Sequence, residues 1–145
     1  MFLLDTKVLS AMMSPQPAAA AVAWVSGQPA EQLFTAAPCQ AEILAGIAVL
    51  PEGHRRADLK AAVRAMFADD FEGRVLAFDS AAALAYAGLF AVHRRAGRPA
   101  ATIDLMIAAI ARSRSASLVT RNVADFAGCG ISVIDPWGID LSQPA

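Results

Sequence analysis

Residues 2–6 read Phe2-Leu3-Leu4-Asp5-Thr6, a short apolar run followed by an acid and a threonine. This run is too brief to form a helix, whereas residues 7–13 continue it with apolar positions at helical spacing. We therefore predict a strand at 2–6 that passes directly into a helix at 7–13. This strand–helix unit is the starting point for the rest of the fold.

The same alternation of strand and helix continues along the chain. Short, uniformly apolar strands separated by helices imply parallel pairing with both faces covered, because right-handed crossovers place helices on the faces of the sheet. We predict an α/β fold, a single α/β/α sandwich with a mainly parallel central sheet of about five strands. The further predicted strands are 32–36, 74–78, 117–121 and 131–134, and the further predicted helices are 18–27, 38–50, 55–70, 79–96 and 102–115.

Length and composition support one soluble domain. The chain has 145 residues, of which 57% are hydrophobic and 17% are charged, so it can bury a sizeable core and intrinsic disorder is excluded. The longest strongly apolar run, at 81–92, is shorter than the roughly 20 residues needed to cross a bilayer. We expect no signal peptide in residues 1–7, because Asp5 and Lys7 stop the apolar run there and no basic residue precedes it. We expect a cytoplasmic protein with a domain at 1–137 and a short C-terminal tail at 138–145.

The cysteines and histidines do not suggest a metal site. A reducing cytoplasm leaves Cys39 and Cys129 as thiols, and we expect both to be buried. His54 and His93 lie beside arginines and have no second ligand at helical or loop spacing, so we expect both at the surface. Asp79 is expected to cap the helix that follows it.

Acidic and polar residues follow the predicted strands at the ends where parallel sheets bind ligands. Asp5 closes the first strand, and Glu42 lies one turn into the helix after the second. Asp104 begins the helix that follows residue 100, and Asn122 and Asp125 come after the fourth strand. We expect these side chains to lie along one edge of the sheet.

Each of these acids also has a purely structural interpretation. Asp5 can cap the first helix, and Glu42 can lie on a solvated helix face. Asp104 can be a first-turn carboxylate, favoured by the helix dipole behind a Thr102 cap. The sequence leaves these alternatives open.

A cluster of these carboxylates requires a cation. Carboxylates about 4 Å apart repel by roughly 4 kcal/mol per pair at an effective dielectric constant of 20. Hard oxygen ligands, with no His or Cys among them, favour Mg²⁺ or Mn²⁺. Such a metal suits phosphodiester hydrolysis, because it lowers the pKa of a water molecule and stabilises the leaving oxygen.

The net charge of −1 conceals an uneven distribution. Residues 91–124 contain six arginines and one acid, whereas the rest of the chain contains six bases and twelve acids. Because arginine pairs with phosphate oxygens in a bidentate manner, this basic segment is suited to a nucleic-acid backbone. The alternative is that its arginines lie on solvated helix faces.

Five motifs occur in order along nearly the whole chain: MFLLDT at 1–6, AEI at 41–43 with Gly46 and LPEG at 50–53, GRP at 97–99 leading to DLMIAA at 104–109, TRNVADF at 120–126, and DPW at 135–137. Together they resemble the PIN-domain ribonuclease toxins of VapC type. The resemblance implies a PIN fold and a Mg²⁺-dependent endoribonuclease, the toxin of a type II toxin–antitoxin pair, which cuts structured RNA such as tRNA or rRNA. It also implies a homodimer and a cognate VapB-type antitoxin.

The resemblance assigns roles to individual residues. The family's metal-binding acids correspond to Asp5, Glu42 and Asp104, with Mg²⁺ as the cofactor and Mn²⁺ as a substitute. The fourth site residue corresponds to Asn122 in some members and to Asp125 in others, and the sequence does not decide between them. The hydroxyl that holds an acid or a water in the family corresponds to Thr120.

One departure from the family pattern supports an alternative function. The family usually has Asn after Asp-Thr, whereas this chain has Lys7, whose ammonium group would lie close to the metal site. The alternative is a catalytically weakened PIN protein that acts as an antitoxin-binding partner in an autorepressing complex. A phosphoacceptor receiver domain would need paired acids after the first strand, and a haloacid-dehalogenase-like phosphatase would need Asp-x-Asp there, so both are disfavoured.

The apolar helix faces at 8–13 and 22–25 are candidates for the antitoxin contact, with Trp24 as the anchor. A role in the hydrophobic core is the alternative for the same residues.

Overall fold

Five parallel strands form the centre of the protein, in the order β3-β2-β1-β4-β5. The computed structural model describes residues 1–138, so all but the first residue of the predicted tail at 138–145 lies outside the described residues. The strands are β1 (Phe2–Leu4), β2 (Leu33–Ala36), β3 (Val75–Leu76), β4 (Ser117–Val119) and β5 (Val133–Ile134). The helices are α1 (Thr6–Met12), α2 (Ala19–Ser26), α3 (Ala37–Ala48), α4 (His54–Ala65), α5 (Ser80–Arg95) and α6 (Thr102–Ser113).

The sheet confirms the predicted parallel α/β/α architecture. β1 lies in the middle, where Leu3 is in register with Phe34 of β2 on one side and with Leu118 of β4 on the other. The β2–β3 and β4–β5 pairs are also parallel. The strands are shorter than predicted. The backbone N–H groups of Asp5 and Thr120 still bond to the carbonyl oxygens of Val119 and Ile134, but Asp5 already caps α1 and so ends β1.

Three short helical turns were not predicted as separate elements. Two are 3₁₀ turns, Ala30–Gln32 before β2 and Val123–Phe126 after β4, and the third is a π-helical turn, Met66–Asp70, that extends α4. The turn after β4 carries Asp125, one of the predicted site residues.

The hydrophobic core confirms that helices cover both faces of the sheet. Leu3 and Leu4 of β1 are almost completely buried, and residues 107–111 of α6 are buried on all sides. The residues considered for a partner surface belong largely to this core: Val8 is fully buried, and the ring of Trp24 packs edge-on against Phe2 with 5.1 Å between centroids. The structure therefore favours the core interpretation of these two segments.

The cap considered for α5 is present, whereas the one considered for α6 is not. Asp79 caps α5 by accepting a hydrogen bond of 3.0 Å from the backbone N–H of Ala82, and Gly97 follows the last residues of α5 with a φ of +66°. Thr102 does not cap α6, because Ala101 occupies that position and makes no side-chain bond there.

The prediction that His93 lies at the surface is wrong. Its ring is buried, with Nδ1 2.9 Å from the carbonyl oxygen of Leu89 and Nε2 3.8 Å from the sulfur of Cys129. His93 follows Leu89 by four residues and so lies on the same inward helix face, although its neighbours in sequence, the arginines, are exposed. His54 is exposed as expected, and Cys39 and Cys129 are confirmed as buried free thiols.

None of the helices within residues 1–138 is both long enough and apolar enough to span a membrane.

Candidate active site

The carboxyl ends of β1 and β4 bring Asp5 and Thr120 together, although they are 115 residues apart in sequence. Thr120 is fully buried, and its hydroxyl donates a hydrogen bond to Oδ2 of Asp5. The other carboxylate oxygen, Oδ1, accepts a bond of 3.0 Å from the backbone N–H of Lys7. Asp5 therefore caps α1 and also belongs to the cluster, so the two interpretations of this residue are compatible.

Burial dominates the chemistry of Asp5, whose side chain is almost entirely removed from solvent. Burial raises its pKa, the hydrogen bonds from Thr120 and Lys7 lower it, and the negative charge of Glu42 raises it again. The pKa remains above the ordinary value of 3.8 after these opposing effects. The ionised form of this carboxylate is thus costly to hold in the folded protein.

Glu42 reaches the same edge of the sheet from α3. Its side chain is exposed, and Oε1 accepts a hydrogen bond of 2.7 Å from the hydroxyl of Thr6. Because Thr6 is the first residue of α1, directly after Asp5, this bond fixes Glu42 beside the start of that helix.

Asp104 completes the cluster from the first turn of α6, where it is half-buried. Burial raises its pKa, and so do the negative charges of Asp5, Asp125 and Glu42, in that order, while the ammonium of Lys7 lowers it. Asp5, Asp125 and Glu42 therefore lie within electrostatic reach of Asp104. Asp104 is therefore both a first-turn carboxylate of α6 and a member of the acidic cluster.

Asn122 and Asp125 meet the site in different ways. The backbone N–H of Asn122 donates a hydrogen bond of 3.1 Å to the hydroxyl of Thr120. Asp125, in the 3₁₀ turn, contributes a negative charge that acts on Asp104. The main chain of Asn122 thus supports the hydroxyl, whereas the side chain of Asp125 extends the acidic cluster.

Two supporting threonines were not singled out from the sequence. Thr6 holds Glu42, and the buried hydroxyl of Thr35 at the end of β2 donates a bond of 3.0 Å to the carbonyl oxygen of Leu4. Hydroxyl residues at the carboxyl ends of strands are the signal by which these supports could have been found.

The donor chemistry of the cluster fits a hard divalent cation, although the carboxylates are not gathered into a finished ligand set. In the part of the chain that the structure describes, no three His, Cys, Asp or Glu side chains are close enough together to hold a metal ion. The converging groups are all carboxylates, and their mutual repulsion raises the pKa of Asp104. An oxygen-preferring cation such as Mg²⁺ or Mn²⁺ would relieve that repulsion.

A cavity of about 350 Å³ borders the acidic cluster and is lined by Asp104, Asp125 and Arg98 among others. Another, of about 230 Å³, is lined by Lys7, Arg121 and Trp137 among others, and the Arg121 guanidinium lies over the Trp137 ring at 5.3 Å from its centroid. Lys7 connects this second cavity to the site, because its ammonium acts on Asp5 and Asp104.

The sequence and the fold both match proteins that are already known. The profile of the PIN domain matches residues 2–127. The chain is 38% identical to the plasmid stability protein StbB of Pseudomonas syringae pv. tomato over 137 residues, which are 94% of this chain and 99% of StbB. It is 34% identical to the VapC ribonuclease Y4jK of Sinorhizobium fredii over 137 residues, which are 94% of this chain and 98% of that protein. The fold superposes on a chain of FitAB bound to the IR36 DNA fragment with a TM-score of 0.90 and 31% identity, covering 99% of this chain and all of the other.

Proposed function

The chain belongs to the PIN-domain family, and from this premise we propose that it is a metal-dependent endoribonuclease, the toxin of a type II toxin–antitoxin pair. The observation that carries the proposal is the convergence of Asp5, Glu42, Asp104 and Asp125 at one edge of the sheet. Similarity over most of the chain to a VapC ribonuclease supports the same activity. The substrate class we propose is structured RNA, tRNA or rRNA.

We assign Mg²⁺ as the cofactor, with Mn²⁺ as a substitute, and Asp5, Asp104 and Glu42 as the residues that would hold it. Such a cation supplies Lewis acidity toward water and positive charge toward the attacked phosphate. As the fourth acid we favour Asp125 over Asn122. The charge of Asp125 acts on Asp104, whereas the contact of Asn122 with the site is a main-chain bond.

The chain's own residues would prepare the site by fixing its carboxylates before RNA arrives. Thr120 holds Oδ2 of Asp5 and the backbone of Lys7 holds Oδ1, so this buried carboxylate has one orientation. Thr6 fixes Glu42 in the same way. Groups that are oriented in advance need no rearrangement when charge develops on the phosphate, which is the main source of electrostatic catalysis.

Cleavage of purified tRNA and rRNA, with and without Mg²⁺, tests this function. We expect cleavage that stops when the metal is chelated and that falls at least about 100-fold in Asp5→Asn and Asp104→Asn. Asp58→Asn is the matched control, because Asp58 is an exposed acid on α4 outside the cluster and its loss should leave the rate unchanged. Undiminished cleavage by both site variants would contradict the proposal.

Lys7 supports a second candidate function. Its ammonium acts on both Asp5 and Asp104, so it offsets part of the negative charge that a cation would need. The alternative is a weakened PIN protein that serves as the antitoxin-binding partner in an autorepressing complex, as the likeness to a FitAB complex bound to DNA suggests. Calorimetric titration with Mg²⁺ separates the two: tight binding with cleavage favours the enzyme, whereas activity gained only in Lys7→Asn favours the partner.

The remaining parts of the proposal concern assembly. We propose a homodimer in the cytoplasm that is silenced by a cognate VapB-type antitoxin. Co-purification with the product of a short neighbouring reading frame, and loss of RNA cleavage in that complex, would test the pairing.

A further inference from the structure

A cavity of about 350 Å³ lies next to the acidic cluster, between the α5–α6 connection and the 3₁₀ turn after β4. It shares Asp104 and Asp125 with the candidate active site, so a group bound in the cavity is adjacent to those carboxylates. Its volume falls in the range of small-molecule sites. Its other lining residues are His93, Arg98, Pro99, Ala100, Ala101, Ala124 and Ala127.

Arg98 is the cation of this cavity, and its guanidinium is available to a ligand. Within residues 1–138, Arg114 forms an ion pair with Asp79, whereas Arg98 forms no ion pair. Its backbone N–H donates a bond of 3.0 Å to the carbonyl oxygen of His93, which fixes the turn after α5. Its side chain extends to the loop at Gly128. A Cβ atom built on that glycine would lie 3.8 Å from Nη2 of Arg98.

The lining of the cavity combines groups of opposite charge. Arg98 can bind a phosphate through paired N–H groups, whereas Asp104 and Asp125 repel any anion that no cation accompanies. Four alanines also line the cavity, so part of its wall is apolar and carries no large side chain. A single acidic group would use Arg98 alone, whereas an RNA chain presents a phosphate on each side of every nucleoside and can engage both Arg98 and a cation held by the carboxylates.

We propose that this cavity is a nucleotide subsite for RNA, in which Arg98 binds the phosphate next to the one that is cleaved and the alanines contact the intervening nucleoside. This inference rests on the proposed ribonuclease function and adds the position at which the substrate chain leaves the acidic cluster. Arg98 is a binding residue in this assignment.

Calorimetric titration with adenosine 3′,5′-bisphosphate in the presence of Mg²⁺ tests the subsite, because this probe is one nucleoside flanked by two phosphates. We expect Arg98→Gln to weaken its binding by about 10- to 100-fold, the loss typical of a charge-assisted hydrogen-bonded pair. Arg95→Gln is the matched control. Arg95 is exposed three residues earlier at the end of α5 and does not line the cavity, so its loss should change binding by less than about twofold.

A second variant tests the cavity without changing charge. Ala127→Leu places a larger side chain in the lining at an exposed position, and we expect it to weaken binding about tenfold or more while circular dichroism shows an unchanged fold. No measurable binding by the natural chain, equal binding by Arg98→Gln and Arg95→Gln, or full binding by Ala127→Leu would each overturn the inference.

The outcomes separate this inference from the ribonuclease proposal. Mg²⁺-dependent RNA cleavage that is indifferent to Arg98→Gln, together with unchanged probe binding, would remove the subsite and keep the nuclease. Binding of the probe that depends on Arg98 in a chain that cleaves no RNA would keep the subsite and remove the nuclease.

Discussion

The hydroxyl of Thr120 holds the site together, and Thr120→Val removes it with little change in shape. The hydroxyl donates to the buried carboxylate of Asp5 and accepts from the backbone N–H of Asn122. Valine replaces the hydroxyl by a methyl group, so it opens no cavity but leaves both partners without this bond. The substitution therefore isolates the energy of the two hydrogen bonds.

The expected cost follows from the two bonds that are lost. A hydrogen bond to a charged group contributes about 1.5–3 kcal/mol, and the half-buried amide of Asn122 adds roughly 0.5–1 kcal/mol. We expect the free energy of unfolding to fall by about 2–4 kcal/mol, a substantial part of the roughly 5–15 kcal/mol typical of a domain. At about 3 °C per kcal/mol for a chain of this size, the melting temperature falls by about 6–12 °C.

Urea unfolding at neutral pH in the presence of EDTA measures this cost, with Thr120→Ser as the control. Serine retains the hydroxyl and loses one buried methyl group, which costs about 1 kcal/mol. The bond from Thr120 lowers the pKa of Asp5, so the penalty of Thr120→Val should shrink in mild acid, where this carboxyl becomes protonated. Equal stability of the valine and serine variants, at all pH values, would refute the reasoning.

Three further predictions concern the acids and the thiols. Asp104→Asn should raise the urea midpoint of the metal-free protein at neutral pH. The reason is that folding raises the pKa of this carboxyl, so its ionised form destabilises the fold once the pH exceeds the ordinary pKa of 3.8. A lower midpoint would argue against the repulsive cluster. Cys39 and Cys129 should not react with Ellman's reagent at pH 8 until urea is added. Both thiols are buried, and burial raises the pKa of Cys39 to about 11. Rapid reaction of the folded protein would disprove this prediction. Asp79→Ala should lower the melting temperature more than Asp79→Asn, which retains the helix cap; equal melting temperatures for the two variants would contradict the cap. Since folding lowers the pKa of Asp79, the advantage of the natural chain over Asp79→Asn should decline as the pH falls below about 3.8.

The sequence predicts the sheet well because apolar runs and helical periodicity are local properties. The run at 2–6 and its counterparts give all five strands, and the alternation with helices gives their parallel pairing. The ends of the strands are less predictable, because they depend on pairing with strands that are distant in sequence and on where the next helix begins. Asp5 illustrates this point, since its backbone N–H still bonds to Val119 while its side chain already caps α1.

The candidate site could be located from the sequence but not resolved in detail. The rule that ligands bind at the carboxyl ends of parallel strands, together with the family resemblance, selected the acids that the structure brings together. The sequence could not separate Asn122 from Asp125, because the two lie on one short turn whose orientation is set by tertiary contacts. The surface position predicted for His93 is wrong for a related reason. Adjacent residues of a helix point in different directions, so the exposed arginines beside His93 do not show that its own ring is exposed.

The central position of β1 has a consequence for synthesis of the protein. β1 leaves the ribosome more than a hundred residues before β4, with which it pairs on one side, and Asp5 receives its hydroxyl partner from Thr120 only after β4 has been made. The cluster that would cut RNA is therefore incomplete on any nascent chain that has not yet released β4. A chain truncated before β4 would lack both the neighbouring strand of β1 and the hydroxyl that holds Asp5, so we expect it to show no RNA cleavage.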